Sequence, residues 1–231
     1  MNFILKLLVV FVFSVLSVPA AVFSQTEPNG DKAKTEAAEN IPVSPVEDLM
    51  REHGALSRVL LIYEEIAKRL DKRQDIPDEA LDKTTLIIRA FIQDYHEKLE
   101  EKYVFPRLRN ANKLVPLVNT LEEQHRAGRR IIDSIMKEEK PRDKAARKKL
   151  AGSIRQFILL YRPHKSREDT ILFPEFHSIV PLEEYNKLGE EFEDREHELF
   201  GEEGFTKIVD EIAGLEKELG IYDLSQFTPK K

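Results

Sequence analysis

Four histidines and two glutamates recur in this chain in a pattern suited to metal chemistry: His53, His96, Glu100, His125, His164 and Glu168. His96-x-x-x-Glu100 is followed by Phe105-Pro106 and His164-x-x-x-Glu168 by Phe173-Pro174, so HEKLEEKYVFP and HKSREDTILFP align without a gap. One His precedes each motif, and HGALSRVL from His53 matches HRAGRRII from His125 in its Ala, an Arg and a closing aliphatic pair. Residues four apart on a helix lie about 40° apart around the axis and about 6 Å along it, so His and Glu of each motif can point the same way. Four imidazoles with two carboxylates suit two metal ions, with each Glu bridging or sharing. Mixed nitrogen and oxygen ligation with open positions favours iron, then manganese, whereas zinc more often takes a closed four-coordinate site. The chain has no Cys, which excludes thiolate metal sites, iron–sulfur ligation, disulfides and a cysteine nucleophile.

Helices must carry these residues. Leu49, His53, Leu56, Leu60 and Tyr63 recur at helical spacing from Val46 to the Asp71 region, and Asp75-Ile76-Pro77-Asp78 breaks that run. Further helices are predicted from about Asp78 to Tyr103, stopping before Phe105-Pro106, from Pro116 to Glu139, and from after Pro141 to Leu172, stopping before Phe173-Pro174. A fifth runs from Pro181 to about Leu219. Four helices of this length, each about 40 Å, suit an all-α, up-down-up-down four-helix bundle with an additional C-terminal helix and tail. Antiparallel packing would bring one layer from each helix to the same height and gather the six residues in the core.

Composition agrees. The 231 residues are 41% hydrophobic and 34% charged with only 9 Gly and 12 Pro, as in one helical core rather than a turn-rich sandwich. A net charge of −6 gives no footprint for nucleic acid. The segment MNFILKLLVVFVFSVLSVPAAVFSQT places Lys6 ahead of an apolar run, then small residues, and is expected to be a signal peptide over 1–24, cleaved before Gln25. The alternative is an uncleaved membrane anchor. Either way the domain is expected to be exported, periplasmic or extracellular, touching a membrane only if that segment stays. Residues 25–45 are expected to be a flexible linker, 46–200 the bundle, and 201–231 the helix end and a tail docked through Ile221, Tyr222, Leu224 and Phe227.

Neighbouring residues have plainer expected roles. His177 falls in an expected solvent-facing loop, and His197 sits among carboxylates read as a solvated face. Tyr95, Tyr103 and Tyr161 are read as packing residues with polar tips, and Arg51, Arg58, Arg126 and Arg130 as surface charges. Asp169 is a rival to Glu168 for the fourth-helix carboxylate.

At these residues the chain resembles the hemerythrin-like family of cation-binding domains, whose pattern is His, His-x-x-x-Glu, His, His-x-x-x-Glu on a four-helix bundle. Glu52-His53-Gly54, Glu123-Gln124-His125-Arg126 and the two His-x-x-x-Glu motifs with their Phe-Pro pairs carry the likeness, which covers about residues 46–200. The resemblance implies that His53, His96, Glu100, His125, His164 and Glu168 hold two non-haem iron ions, with Glu100 and Glu168 bridging. It departs from the oxygen-carrying hemerythrins, which have a His four residues after the third-helix His, where this chain has Arg129. A ferritin-like site needs two Glu-x-x-His motifs, and only Glu122-x-x-His125 qualifies. The expected function is an exported di-iron protein that binds or reacts with a small diatomic or peroxide ligand: oxygen, peroxide or nitric oxide. A non-catalytic metal-binding, sensing or iron-storage module and a metal-free helical interaction protein are the alternatives. Whether it is an enzyme, and which protein partner it has, stay open.

Overall fold

The computed structural model describes residues 43–138 and 143–229, and every regular element among them is helical. The expected signal peptide, and the expected linker up to residue 42, lie outside the described residues. Helix α1, Pro45–Lys72, begins where the Ser44 side chain accepts from the Glu47 N–H at 3.2 Å. Pro45 stands in its first turn with Glu47 and Asp48, and Arg69 and Lys72 stand in its last, each charge matched to the nearer end of the helix dipole. Arg73, with a φ of 54°, ends it in the left-handed region.

Helix α2 is a continuous run over 80–110, in which α turns (Ala80–Ile87, Glu97–Leu99, Phe105–Asn110) alternate with wider π turns (Ile88–His96, Glu100–Val104). Helix α3 is Val115–Lys137. Helix α4 covers 144–179, with Lys144–Arg167 and Phe173–Ile179 flanking the π turn Glu168–Leu172, and Asp143 caps it by accepting from the Ala146 N–H at 2.8 Å. Helices α5, Leu182–Phe200, and α6, Gly204–Glu218, follow. Helix α1 packs on α2 and α4, and α3 packs on the same two, so four helices close a ring around one core. Helices α5 and α6 lie against α1, with α6 also reaching α2. Arg58 fastens α6 by a two-pronged bond to Glu216, at 3.0 and 2.7 Å, so it is a tie between helices rather than a free surface charge.

Neither Phe-Pro pair stops its helix. A proline lacks the N–H, and its ring collides with the carbonyl four residues back in a regular α-helix. Here the turn before each proline opens so that the Phe105 N–H reaches the Glu100 carbonyl and the Phe173 N–H reaches the Glu168 carbonyl, five residues back. The helix then continues, which places His177 on α4 rather than in a loop; it is exposed and stacks on Tyr185 at 4.5 Å.

The predicted fifth helix is two helices. Gly201 adopts a φ of +82°, which a side chain resists, and the chain turns there before α6. The tail does not dock as expected. Leu215 and Leu219 already close that end of the core, and only Ile221 packs against it, while Tyr222, Leu224 and Phe227 stand 51–79% exposed. Among the described residues no helix is long and apolar enough to cross a membrane.

The ring is held by aromatic packing near its middle. Phe157 of α4 is fully buried, stacks on Tyr161 at 4.3 Å and meets Tyr63 of α1 edge-on at 5.7 Å. Replacing Phe157 by Ala should therefore lower stability by about 3–5 kcal/mol, read as an earlier urea midpoint at unchanged slope.

Candidate metal centre

Helices α1 to α4 bring all six predicted residues together, each 0–4% exposed. His53 Nε2 faces His96 Nε2 at 3.1 Å, and His125 Nε2 faces His164 Nε2 at 3.2 Å. Each glutamate lies between the two pairs. Glu168 is 3.4 Å from His53 Nε2 and 3.1 Å from His164 Nε2, and Glu100 is 3.6 Å from His96 Nε2 and 3.4 Å from His125 Nε2. Two overlapping donor groups result, Glu100 with His125, His164 and Glu168, and Glu100 with His53 and His96. Glu100 belongs to both, the position of a bridge.

What fixes the rings is on their other side. His53 Nδ1 meets Asp169 at 2.6 Å, His96 Nδ1 meets Glu52 at 2.5 Å, His125 Nδ1 meets Glu101 at 3.1 Å, and His164 Nδ1 meets the Gln124 carbonyl oxygen at 2.9 Å. A carboxylate or amide oxygen only accepts, so Nδ1 carries the proton and Nε2 presents its lone pair to the centre. Asp169 is thus not a rival to Glu168; it orients His53 from outside. Every orienting residue is a chain neighbour of one of the six: Glu52 beside His53, Gln124 beside His125, Glu101 beside Glu100, Asp169 beside Glu168. The two-fold repeat contained this signal, and sequence reasoning did not extract it. It also missed the two phenylalanines of the Phe-Pro pairs, which lie stacked on two of the candidate rings, Phe173 on His53 at 5.5 Å and Phe105 on His125 at 5.4 Å.

The donor set fits a pair of cations on its own chemistry. Both oxygens of Glu100 and both of Glu168 are buried without a close hydrogen-bond partner. Buried carboxylates in that state are costly unless positive charge compensates them. The titration pattern tells the same story. Burial and the Glu168 charge push Glu100 well above the ordinary carboxylate range. Burial also acts to raise Glu168, but His164 and His53 outweigh it and hold that carboxyl below its usual value. Burial lowers His125 to about 4 and takes His96 well below the usual imidazole value. For His53, burial is overcome by Asp169 and Glu168, and its pKa rises to about 9. The shifts thus mark a cluster short of positive charge, which protons or cations could supply.

One half carries an extra network. Arg129, where a fifth histidine would stand, reaches Glu97 at 2.6 Å and Glu101 at 2.7 Å. Glu97 is buried, accepts from the Tyr161 hydroxyl and is pushed up to about 8 by burial despite Arg129. Tyr161 lies so close to α3 that a Cβ on Gly128 would collide with its hydroxyl, which is why a glycine stands there. Tyr161 therefore does more than pack. Tyr95 and Tyr103 instead reach α5, at the Phe192 carbonyl and at Glu191. His197 lies apart from the centre, half-buried beside an acidic pocket, and Arg126 and Arg130 are exposed as expected.

A helical ring around a buried set of imidazoles and carboxylates defines a cation-binding protein. The family model described as the Hemerythrin HHE cation binding domain matches residues 44–176, more than half of the chain, and the chain belongs to that family. Uncharacterized proteins of Mycobacterium bovis and of two Mycobacterium tuberculosis strains are each 44% identical over 218 residues, spanning 93% of this chain and 86% of theirs. No solved structure matches the chain.

Removing an orienting carboxylate should weaken metal binding without unfolding the ring. Asp169→Ala and Glu101→Ala are each expected to cost about 10–100-fold in affinity, measured by competition with a chromophoric chelator, with the helical circular dichroism unchanged.

Proposed function

We propose that this is a non-haem di-iron protein that binds or reacts with oxygen, peroxide or nitric oxide outside the cytoplasm. The observation that carries it is the placement of Glu100 and Glu168 between two imidazole pairs whose Nε2 lone pairs all face inward. In this reading His53, His96, His125, His164, Glu100 and Glu168 would together hold the iron pair. We read the ring of four helices as an up-down-up-down bundle. Nitrogen and oxygen donors without thiolate favour iron over a closed zinc site. Bound ferrous ions would supply electrons and Lewis acidity.

The chain's own residues then set what can reach them. All six ligands are almost fully buried, and Phe105 and Phe173 cover two of the rings, which favours a diatomic molecule or peroxide over an organic substrate. The Nδ1 bonds hold the rings in one tautomer and exclude a second proton at Nε2 once metal is bound. Arg129 holds Glu101 on His125, and Tyr161 with Glu97 supplies an exchangeable proton near His164, whose ring centroid lies 5.4 Å from that of Tyr161. Export rests on residues 1–24, which would be removed before Gln25; the amino-terminal sequence of the exported chain checks this.

Loading with ferrous iron in the absence of air should give two irons per chain. Admitting oxygen or peroxide should then raise new ligand-to-metal charge-transfer absorption. Glu100→Ala should lose the pair, and retention of both irons by that variant would sink the assignment.

A further inference from the structure

A second acidic cluster lies outside the six central residues. The first turns of α1, the end of α5 and the start of α6 enclose a cavity of about 160 Å³ lined by Asp48, Arg51, Glu193, Glu196, Glu202 and Glu203, among others. Its one guanidinium is already engaged, 3.8 Å from Asp48 and stacked on the Phe205 ring at 4.6 Å. Behind the lining stands Glu52, and one carboxylate oxygen from each of Asp48, Glu52 and Glu196 lies within 4.8 Å of the others.

Three features separate this triad from an ordinary acidic surface. Glu52 is completely buried; its Oε2 meets His96 Nδ1 at 2.5 Å, its Oε1 makes no hydrogen bond within 3.5 Å, and the Tyr95 hydroxyl lies beside the carboxyl. Glu196 is fixed by one oxygen alone, Oε1 accepting from the Phe205 N–H at 2.8 Å at the start of α6, where the helix N-terminus favours a negative charge. Asp48 is buried too, and burial, with the charges of Glu52 and Glu196, pushes its carboxyl up to about 7, so the geometry holds acids together with too little positive charge.

The geometry points to a third divalent-cation site formed by Asp48, Glu52 and Glu196, distinct from the paired centre and joined to it through Glu52. Its donors are all oxygen, which suits a hard ion such as Mn²⁺, Mg²⁺ or Fe²⁺ and sets it apart from the nitrogen-rich pair. The acidic cavity draws cations toward it, and Glu52, touching both the triad and His96, stands on the way inward. That loading role rests on the paired centre holding metal; the third site itself does not.

The test is a titration of the full chain with Mn²⁺, counting free ion by electron paramagnetic resonance and heat by calorimetry. Asp48→Asn and Glu196→Gln serve as variants, since neither residue touches the central six and the amide introduced by Glu196→Gln keeps an oxygen for the Phe205 N–H. The expected result is three ions per chain in the wild type and two in each variant. Two ions in all three proteins would overturn the third site and leave the pair standing. Three in all would also overturn it, because the extra ion then sits elsewhere. One ion in the wild type and none in the variants would support the third site while overturning the di-metal reading.

Discussion

Four hydrogen bonds govern this structure, one from the Nδ1 of each of the four central histidines to an oxygen behind it. They do more than set tautomers. Glu52 on α1 holds His96 on α2, Glu101 on α2 holds His125 on α3, Gln124 on α3 holds His164 on α4, and Asp169 on α4 holds His53 on α1. The bonds run once around the ring, so the contacts that aim the lone pairs inward also tie each helix to its neighbours. Helix packing and ligand orientation are one constraint, and a shift of any helix along its axis would release a ring from its partner.

That arrangement has a cost the apolar core must carry. Buried carboxyls and imidazoles within a few ångströms are stable only if protons or cations balance them. Metal binding to the folded chain alone therefore stabilises it by linkage. The aromatic belt of Tyr63, Phe157 and Tyr161 lies against one side of the centre, with Tyr161 in ring contact with His164, where it helps hold the imidazoles together before any metal arrives.

Much of this was legible in the sequence. The six candidate ligands follow from the repeat, because His-x-x-x-Glu on a helix leaves little freedom about where its side chains can meet. The first helix follows from Leu49, His53, Leu56, Leu60 and Tyr63 at helical spacing, all buried on one face. The Phe-Pro pairs mislead, for a physical reason: proline ends an α-helix only when the turn before it is regular, and a single-residue widening restores the path. A local pattern cannot carry that information, since the wider turn is held in place by Phe105 and Phe173 packing on histidines from other helices. The orienting acids escape notice because an acid beside a ligand reads as surface charge until the neighbouring helix is in place.

The two halves, alike in sequence, are not equivalent in charge. On the His125 side Arg129 brings a cation against Glu97 and Glu101, and Tyr161 closes over Glu97. On the His53 side Glu52 is backed by Asp48 and Glu196, and beyond them by an acidic cavity whose one guanidinium, Arg51, lies 3.8 Å from Asp48. The His125 pair thus has a guanidinium behind it that bonds two carboxylates, whereas behind the His53 pair acids outnumber the single arginine. A repeat that supplies identical candidate ligands therefore yields two unlike electrostatic settings, and the difference lies in residues outside the six.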